Sequence, residues 1–255
     1  MTNKGTTSNE ATRVNRWAVT RLHNAMTIIE VDDAKILTDP WFVDSRAFVG
    51  HSPIGVDQLP RFTAIIGCHW VKDHWGMAEM EAYPHKDTPV FVSAPNMEQS
   101  ARKVGFTDVE VLAWGAERKL TDTVTLHCLE EHIGRGRQTN NYGIVGPHAR
   151  IFFGGEVCDL AAIGRVGEAN EPFDVAIGPV NGVHLMGRQL TATAAQMLAA
   201  TRLLHAPKLL PVHDEHKPFG PLLKIASSIR DLDTVEHSDV EIIELGLGER
   251  YEQAS

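Results

Sequence analysis

Five times along this 255-residue chain, a short apolar run is bordered by residues that can hold a metal ion. Residues 62–67 lead into Cys68-His69-Trp70-Val71-Lys72-Asp73-His74. Residues 123–129 lead into Glu130-Glu131-His132, and residues 150–153 into Gly154-Gly155-Glu156. The run at 174–178 carries Asp174, and residues 209–212 deliver His213. In layered α/β proteins the chemistry sits just beyond the ends of buried strands, on the loops they carry. One histidine in such a place is usually a hydrogen-bonded surface residue. Five such junctions constrain the fold far more. The chain has thirteen histidines, but abundance decides nothing, because histidine is also an ordinary surface residue. Position has to decide.

The spacing of apolar residues and turn formers predicts mixed strands and helices. Residues 18–29 read as one strand, followed by a turn at Asp32-Asp33 and a strand over 35–38. Asp39-Pro40 stops that ladder, because proline has no N–H to donate. A Pro/Gly-punctuated loop is expected over 41–60, and a helical stretch over 77–82. A strand at 90–93 precedes a helix over 97–104 that ends at Gly105. Strands are expected at 109–112 and 123–129, then a glycine-rich polar loop at 130–137. A hairpin over 142–145 and 150–153 turns at Gly146-Pro147. A helix over 191–204, capped by Thr191, precedes the strand at 209–212, and residues 241–248 close a sheet. Strands and helices mixed in this way predict α/β layering, with two sheets inside and helices outside. The length suits one domain over 15–255, after a loose polar tail at 1–14.

Composition excludes several classes. The net charge is −9 and there is no basic stripe, which disfavours a nucleic-acid partner. No apolar run approaches the roughly 18–20 residues of a membrane span. The N-terminus lacks the apolar core of a secretion signal. Cys68, Cys128 and Cys158 form no closely spaced pair, so neither a disulfide framework nor a zinc knuckle is expected. The expectation is a cytoplasmic protein with a small-molecule substrate, and self-association into a homo-oligomer stays open.

Six segments, taken in order, resemble the metallo-β-lactamase superfamily. The resemblance is closest to the branch of the ascorbate-6-phosphate lactonases and their relatives. "LHNAMTIIEVDDAKILTDPWF" is similar to that branch's first hairpin. "CHWVKDHWG" stands where the family carries HxHxDH. "HCLEEHIGRGRQTNNYGIVG" resembles the strand and loop of the next ligand histidine, and "IFFGGEVCD" the glycine-acid strand end. "DVAIGPVNG" and "LLPVHDEH" resemble the two closing strand ends. The resemblance spans about residues 17 to 248. It implies an αββα sandwich of two mixed sheets and a divalent metal, one or two per chain, with zinc first and manganese or iron as alternatives. Carried over position by position, His69 and His132 would bind one ion. Asp73, His74 and His213 would bind another, and Glu156 would bridge them.

Two departures from the pattern stand out. The second histidine of HxHxDH is Val71, and the bridging aspartate is Glu156. Valine cannot coordinate, so one tightly held ion at the Asp73/His74/His213/Glu156 position is expected. His85, His216 and Glu131 are candidates to supply the missing donor. A metal site with an open position implies hydrolysis through an activated water, with Asp73 as the residue that orients or deprotonates it. The substrate class implied is a small anionic lactone, ester or phosphorylated compound. Arg135 and Arg137 could clamp its charge, with Tyr142 and Trp70 also touching it. His23, Trp41, His51 and Trp75 are candidates for the pocket mouth, and core packing is the competing explanation for the tryptophans. Two other readings remain: an iron- or manganese-dependent oxidative enzyme, and a binding protein with a degenerate site.

Overall fold

The computed structural model describes residues 17–43, 45–133, 137–218 and 222–253, with only the backbone of residues 132, 133, 137 and 138. The tail expected over 1–14 lies outside the described residues. The first half is built from β1 (Trp17–His23), β2 (Met26–Val31), β3 (Ala34–Thr38), β4 (Ala64–Gly67), β5 (Val90–Val92) and β6 (Val109–Val111). Helix α1 (Pro95–Lys103) connects the last two. Then come β7 (Glu117–Lys119), β8 (Thr125–Ile133), β9 (Arg137–Val145) and β10 (Arg150–Gly154). Helix α2 (Leu160–Ala169) leads to β11 (Val175–Pro179). A small pair, β12 (Val183–Leu185) and β13 (Arg188–Gln189), precedes α3 (Ala194–Leu203) and β14 (Lys208–Val212). The chain ends with β15 (Leu223–Ile225), β16 (Glu241–Ile242) and β17 (Arg250–Glu252).

Two seven-stranded sheets result, ordered β17-β1-β2-β3-β4-β5-β6 and β16-β14-β11-β10-β9-β8-β7. Each has antiparallel strands on one side and parallel strands on the other. Strand alternation assigns every other residue to the layer between the sheets. Ile66 faces that inner core while Ile65 faces α1. Ile151 and Phe153 point inward while Phe152 packs under α2 and α3. Helices therefore cover the outer faces, and the αββα sandwich expected from the sequence is the observed fold. A third sheet, β13-β12-β15, is small and stands apart.

Several local expectations are corrected. The run at 18–29 is two strands, because Asn24 adopts a left-handed φ of 52° and turns the chain. Asparagine tolerates that region better than most residues. Residues 77–82 hold only a short 3₁₀ turn, Glu79–Ala82. The cap of α3 is Thr193, while Thr191 instead donates its hydroxyl to Asn181 Oδ1 and accepts from the Val183 N–H. Residues 241–248 supply only β16, on the second sheet, and β17 closes the first sheet beside β1. Helix α2 was not expected at all. Its Gly167 serves close packing: a Cβ there would lie 1.9 Å from the Leu203 carbonyl oxygen of α3.

Candidate metal centre

The donors gather at one edge of the sandwich, where β3, β4, β10 and β14 end. Thr38 closes β3, and Asp39 follows with a φ of 39°. Its carboxylate accepts from the Cys68 N–H at 2.6 Å with one oxygen and from His74 Nδ1 at 2.7 Å with the other. Asp39 thus straps the whole turn from Cys68 to His74 onto the neighbouring strand. With its Nδ1 hydrogen committed to Asp39, His74 would offer the lone pair of Nε2 to an ion that displaces its second proton. Carboxylate–histidine pairs of this kind orient metal ligands.

His213 leaves β14 with a φ of 61°. That conformation costs a non-glycine residue roughly 1–3 kcal/mol and persists only where neighbours enforce it. Asn24 is the enforcer. Its carbonyl accepts from the His213 N–H at 3.1 Å, and its side-chain amide donates to the Asp73 carbonyl at 3.0 Å. One residue in the β1–β2 turn therefore registers two donor segments. On the other side of the His213 ring, Asn181 Nδ2 lies 3.1 Å from Nδ1.

The resulting cluster is tight. His74 Nε2 and His213 Nε2 lie 2.9 Å apart. Asp73 Oδ2 lies 3.0 Å from His216 Nε2, 3.5 Å from His213 Nε2 and 3.9 Å from His74 Nε2. Glu156 Oε1 reaches 3.6 Å from His74 Nε2 and 3.1 Å from His69 Nδ1. Glu156 can approach because Gly155 comes before it: a Cβ there would stand 2.8 Å from Cys68 Cβ. Both ring nitrogens of buried His69 and Oε2 of buried Glu156 make no hydrogen bond. Buried polar atoms without partners are costly, and a divalent ion is the partner that this set of imidazoles and carboxylates suits. The residues present fit one.

Electrostatics follow from this crowding. Burial works against charge on His74, but Asp39, Glu156 and Asp73 outweigh it and raise its pKa to about 10. His213 falls to about 4 through burial and the charges of His74 and His216, against the pull of Asp73. Burial would raise Asp73, yet His213, His216 and His74 hold its carboxyl well below the ordinary range.

Of the residues read from the sequence, Asp73, His74, His213, Glu156 and His69 converge. His132 lies on β8, opposite Gln138 of β9, but its side chain is outside the described residues. So are Arg135 and the side chain of Arg137. Asp174 does not join the site: it precedes β11, at the far end from the donors, and accepts from the Arg150 N–H at 2.7 Å. Tyr142 is corrected as a substrate contact, because alternation along β9 turns it fully into the inter-sheet core. Its hydroxyl donates to the Gly67 carbonyl at 2.9 Å. Trp70 is partly exposed, with its ring 5.6 Å from that of His69. Asn140 and Asn141, beside Tyr142, are buried strand residues donating to the Leu112 carbonyl and to Glu131.

The three candidates for the missing donor separate cleanly. His85 packs on Tyr83 and contacts Arg61, away from the cluster. Glu131 accepts from Asn141 and from the N–H groups of Cys158 and Asp159, at the start of α2, and burial raises its pKa to about 7. His216 alone stands at the cluster, on the Asp73 side and not beside Val71. Asp39, Asn24 and Asn181 were missed by sequence reasoning. Their only signal was Asp39-Pro40 within the first quoted segment.

Beside Asp73 and His216 opens a cavity of about 850 Å³. Trp41, Phe48, Trp75, Met77, Val104 and Leu223 give it apolar walls, and its rim carries charges of both signs, Lys72, Lys103 and Lys217 with Glu79 and Glu81. Trp41 is buried and stacked on His23 at 4.6 Å, and Trp75 donates its indole N–H to Ser100 Oγ at 2.8 Å. Both tryptophans therefore pack as core and line the pocket at once, whereas His51 is exposed and does not line it.

Comparison with known proteins agrees with this architecture. The family model for the beta-lactamase superfamily domain matches residues 34–213. A UPF0173 metal-dependent hydrolase from Pyrobaculum aerophilum is 26% identical over 182 residues, covering 71% of this chain and 79% of that one. An uncharacterized protein of Mycobacterium tuberculosis is 23% identical over 182 residues, covering 65% of this chain. The match takes in about half, 49%, of that relative's length. Among solved structures, an isothiocyanate hydrolase from Delia radicum gut bacteria superposes with a TM-score of 0.76 at 16% identity, over 93% of this chain and all of that one. Among the described residues, no helix is long and apolar enough to cross a membrane.

Proposed function

The chain belongs to the beta-lactamase superfamily domain family, and on that premise we propose that it is a metal-dependent hydrolase of a small anionic substrate with an apolar part. The observation that carries this reading is the convergence of Asp73, His74 and His213, with Asp73 and His216 at the wall of a mostly apolar cavity that also carries lysines and two glutamates. Asp73, His74, His213 and Glu156 would hold the ion, with zinc first. When bound, such an ion lowers the pKa of its water toward ~7 and polarises a carbonyl or phosphoryl oxygen.

The chain's own residues do the rest. Asp39 fixes the tautomer of His74, and Asn181 holds the ring of His213. The aromatic wall of Trp41, Phe48 and Trp75 takes up the apolar part of the substrate and keeps bulk water away. Lys72, Lys103 and Lys217 attract its negative group, a role that sequence reasoning gave to Arg135 and Arg137. Asp73 takes a ligand role in preference to that of general base, because three imidazoles already surround its carboxylate.

A panel of anionic lactones, carboxylic esters and phosphodiesters, assayed with the zinc- and manganese-loaded protein, tests the reading. Turnover is expected for at least one class. Removing the lysine that meets the substrate should raise KM by about tenfold, the lower end for a charge-assisted contact because these lysines are exposed. No turnover with any metal would overturn the proposal. A second reading is favoured by the two carboxylates among the donors, since oxygen ligands also suit iron or manganese: an oxidative enzyme on the same fold. Oxygen uptake by the iron(II)-loaded protein, without hydrolysis, would select it.

A further inference from the structure

We infer that His216 is a metal ligand, joining Asp73, His74 and His213 around one ion on the cavity side of the cluster. The inference rests on the metal-binding reading above and goes beyond the donor positions that the family pattern supplies.

The first argument is geometric. Four bonds of about 2.1 Å in a tetrahedral sphere place neighbouring donor atoms roughly 3.4 Å apart. The separations of Asp73 Oδ2 from His216, His213 and His74 Nε2 are 3.0, 3.5 and 3.9 Å. One donor atom from each of Asp73, His213 and His216 fits within 4.8 Å of the others. His216 thus approaches the same carboxylate oxygen as the two histidines already assigned.

The second argument is that its position is built in. His216 pairs with Phe48 in an isolated antiparallel bridge. The Val49 N–H donates to the Glu215 carbonyl and the Lys217 N–H to the Ala47 carbonyl, both at 2.8 Å. The ring lies between Phe48, with centroids 4.0 Å apart, and His213, at 4.9 Å. Two residues earlier, Asp214 and Glu215 are tied to the buried guanidinium of Arg21. A histidine held this firmly from both sides, with Nε2 directed at Asp73, is not a rotating surface group.

The third argument is the donor count. The chain lacks an imidazole at Val71 and presents one at His216, so the ion gains donors on the side where the loop with Val71 cannot help. Because Asp73 and His216 both line the cavity, an ion held between them would lie at the edge of the substrate space.

The competing role is a prop: His216 could merely donate a hydrogen bond to Asp73. Glutamine separates the two roles, because its amide can still donate to Asp73 but cannot replace an imidazole ligand. Wild type, His216→Gln and His216→Ala are loaded with cobalt(II), and the affinity and visible absorption per bound ion are recorded. Circular dichroism verifies folding. Ligation predicts that both variants lose at least about a hundredfold in affinity and shift the cobalt bands, and that added imidazole restores the wild-type spectrum in His216→Ala. If His216→Gln keeps both the wild-type spectrum and affinity, the inference is overturned while the metal-binding reading stands. If wild type itself takes up no cobalt, both fall together.

Discussion

The corner from His213 to His216 and the turn from His69 to Val71 both contribute to one donor cluster, but they are supported differently. At the first, a strained His213 backbone is fixed by Asn24, its ring by Asn181, and the following residues by Arg21 and the 47–49 segment. At the second, both His69 ring nitrogens lack hydrogen bonds, and the residue two positions on is a half-exposed valine. Glu156 stands between, 3.1 Å from His69 and 3.6 Å from His74. A well-supported ligand loses less entropy on binding and keeps its geometry when the ion leaves. The contrast indicates that affinity is concentrated on the His213 side, while His69 and Glu156 form a weaker flank.

The largest effect that could break this contrast is metal loss. His74→Ala and His213→Ala should each strip the retained ion, lowering affinity by more than the ten- to hundredfold seen when only outer partners are altered. His69→Ala should cost less than either. Elemental analysis after dialysis against a mild chelator should find about one ion per wild-type chain. If His69→Ala empties the protein while His213→Ala stays loaded, the assignment of the strong side is reversed.

Much of the cluster was legible in the sequence, and the reasons are physical. Asp73, His74, Glu156 and His213 follow strands, and a buried strand announces itself by its apolar run. The supports were not legible, because they act across distances that a one-dimensional pattern does not carry. Asn24 sits inside a stretch that reads as a single strand, and only its positive φ reveals the turn. His216 was legible only as one candidate among three, because its closeness to Asp73 depends on the bridge to Phe48. Tyr142 was misplaced for a related reason: it opens the expected strand just after a polar loop, yet β9 begins at Arg137 and alternation buries the ring. Helix α2 escaped notice because its glycines are unfavourable for a lone helix, while Gly167 allows the close contact with α3.

A subtler effect sharpens the contrast. Asn24 touches no candidate ion, yet it holds the His213 and Asp73 backbones together. Asn24→Ala keeps the backbone carbonyl but removes the amide that holds Asp73. It also places a less suitable residue at a left-handed φ. The expected outcome is a ten- to hundredfold weaker affinity for the ion, in line with changes to outer partners. The same substitution should leave His69 and Glu156 unaffected. Calorimetric titration of the folded variant checks this, and unchanged affinity would show that His213 is held without Asn24.

The smallest expected effect concerns Val71. Val71 is half-exposed, and its described contacts are those of its carbonyl with the His74 and Trp75 N–H groups, which a histidine keeps. Substitutions at such positions usually stay within about 0.5 kcal/mol, so the melting temperature should barely move. Metal content is the informative measurement. If the weak flank is merely a decayed half of a two-ion site, a new imidazole beside His69 should create a second tight ion. If the centre has been rebuilt around the His213 corner, with Glu156 longer than the family's aspartate and His216 added, the new imidazole should leave the stoichiometry near one. The rebuilt centre is the expected result, because three departures from the family pattern fall around one cluster and two of them, Glu156 and His216, add reach or a donor. A titration of Val71→His that resolves a second tight ion, with the melting temperature unchanged, would show that the flank lacks only its missing ligand.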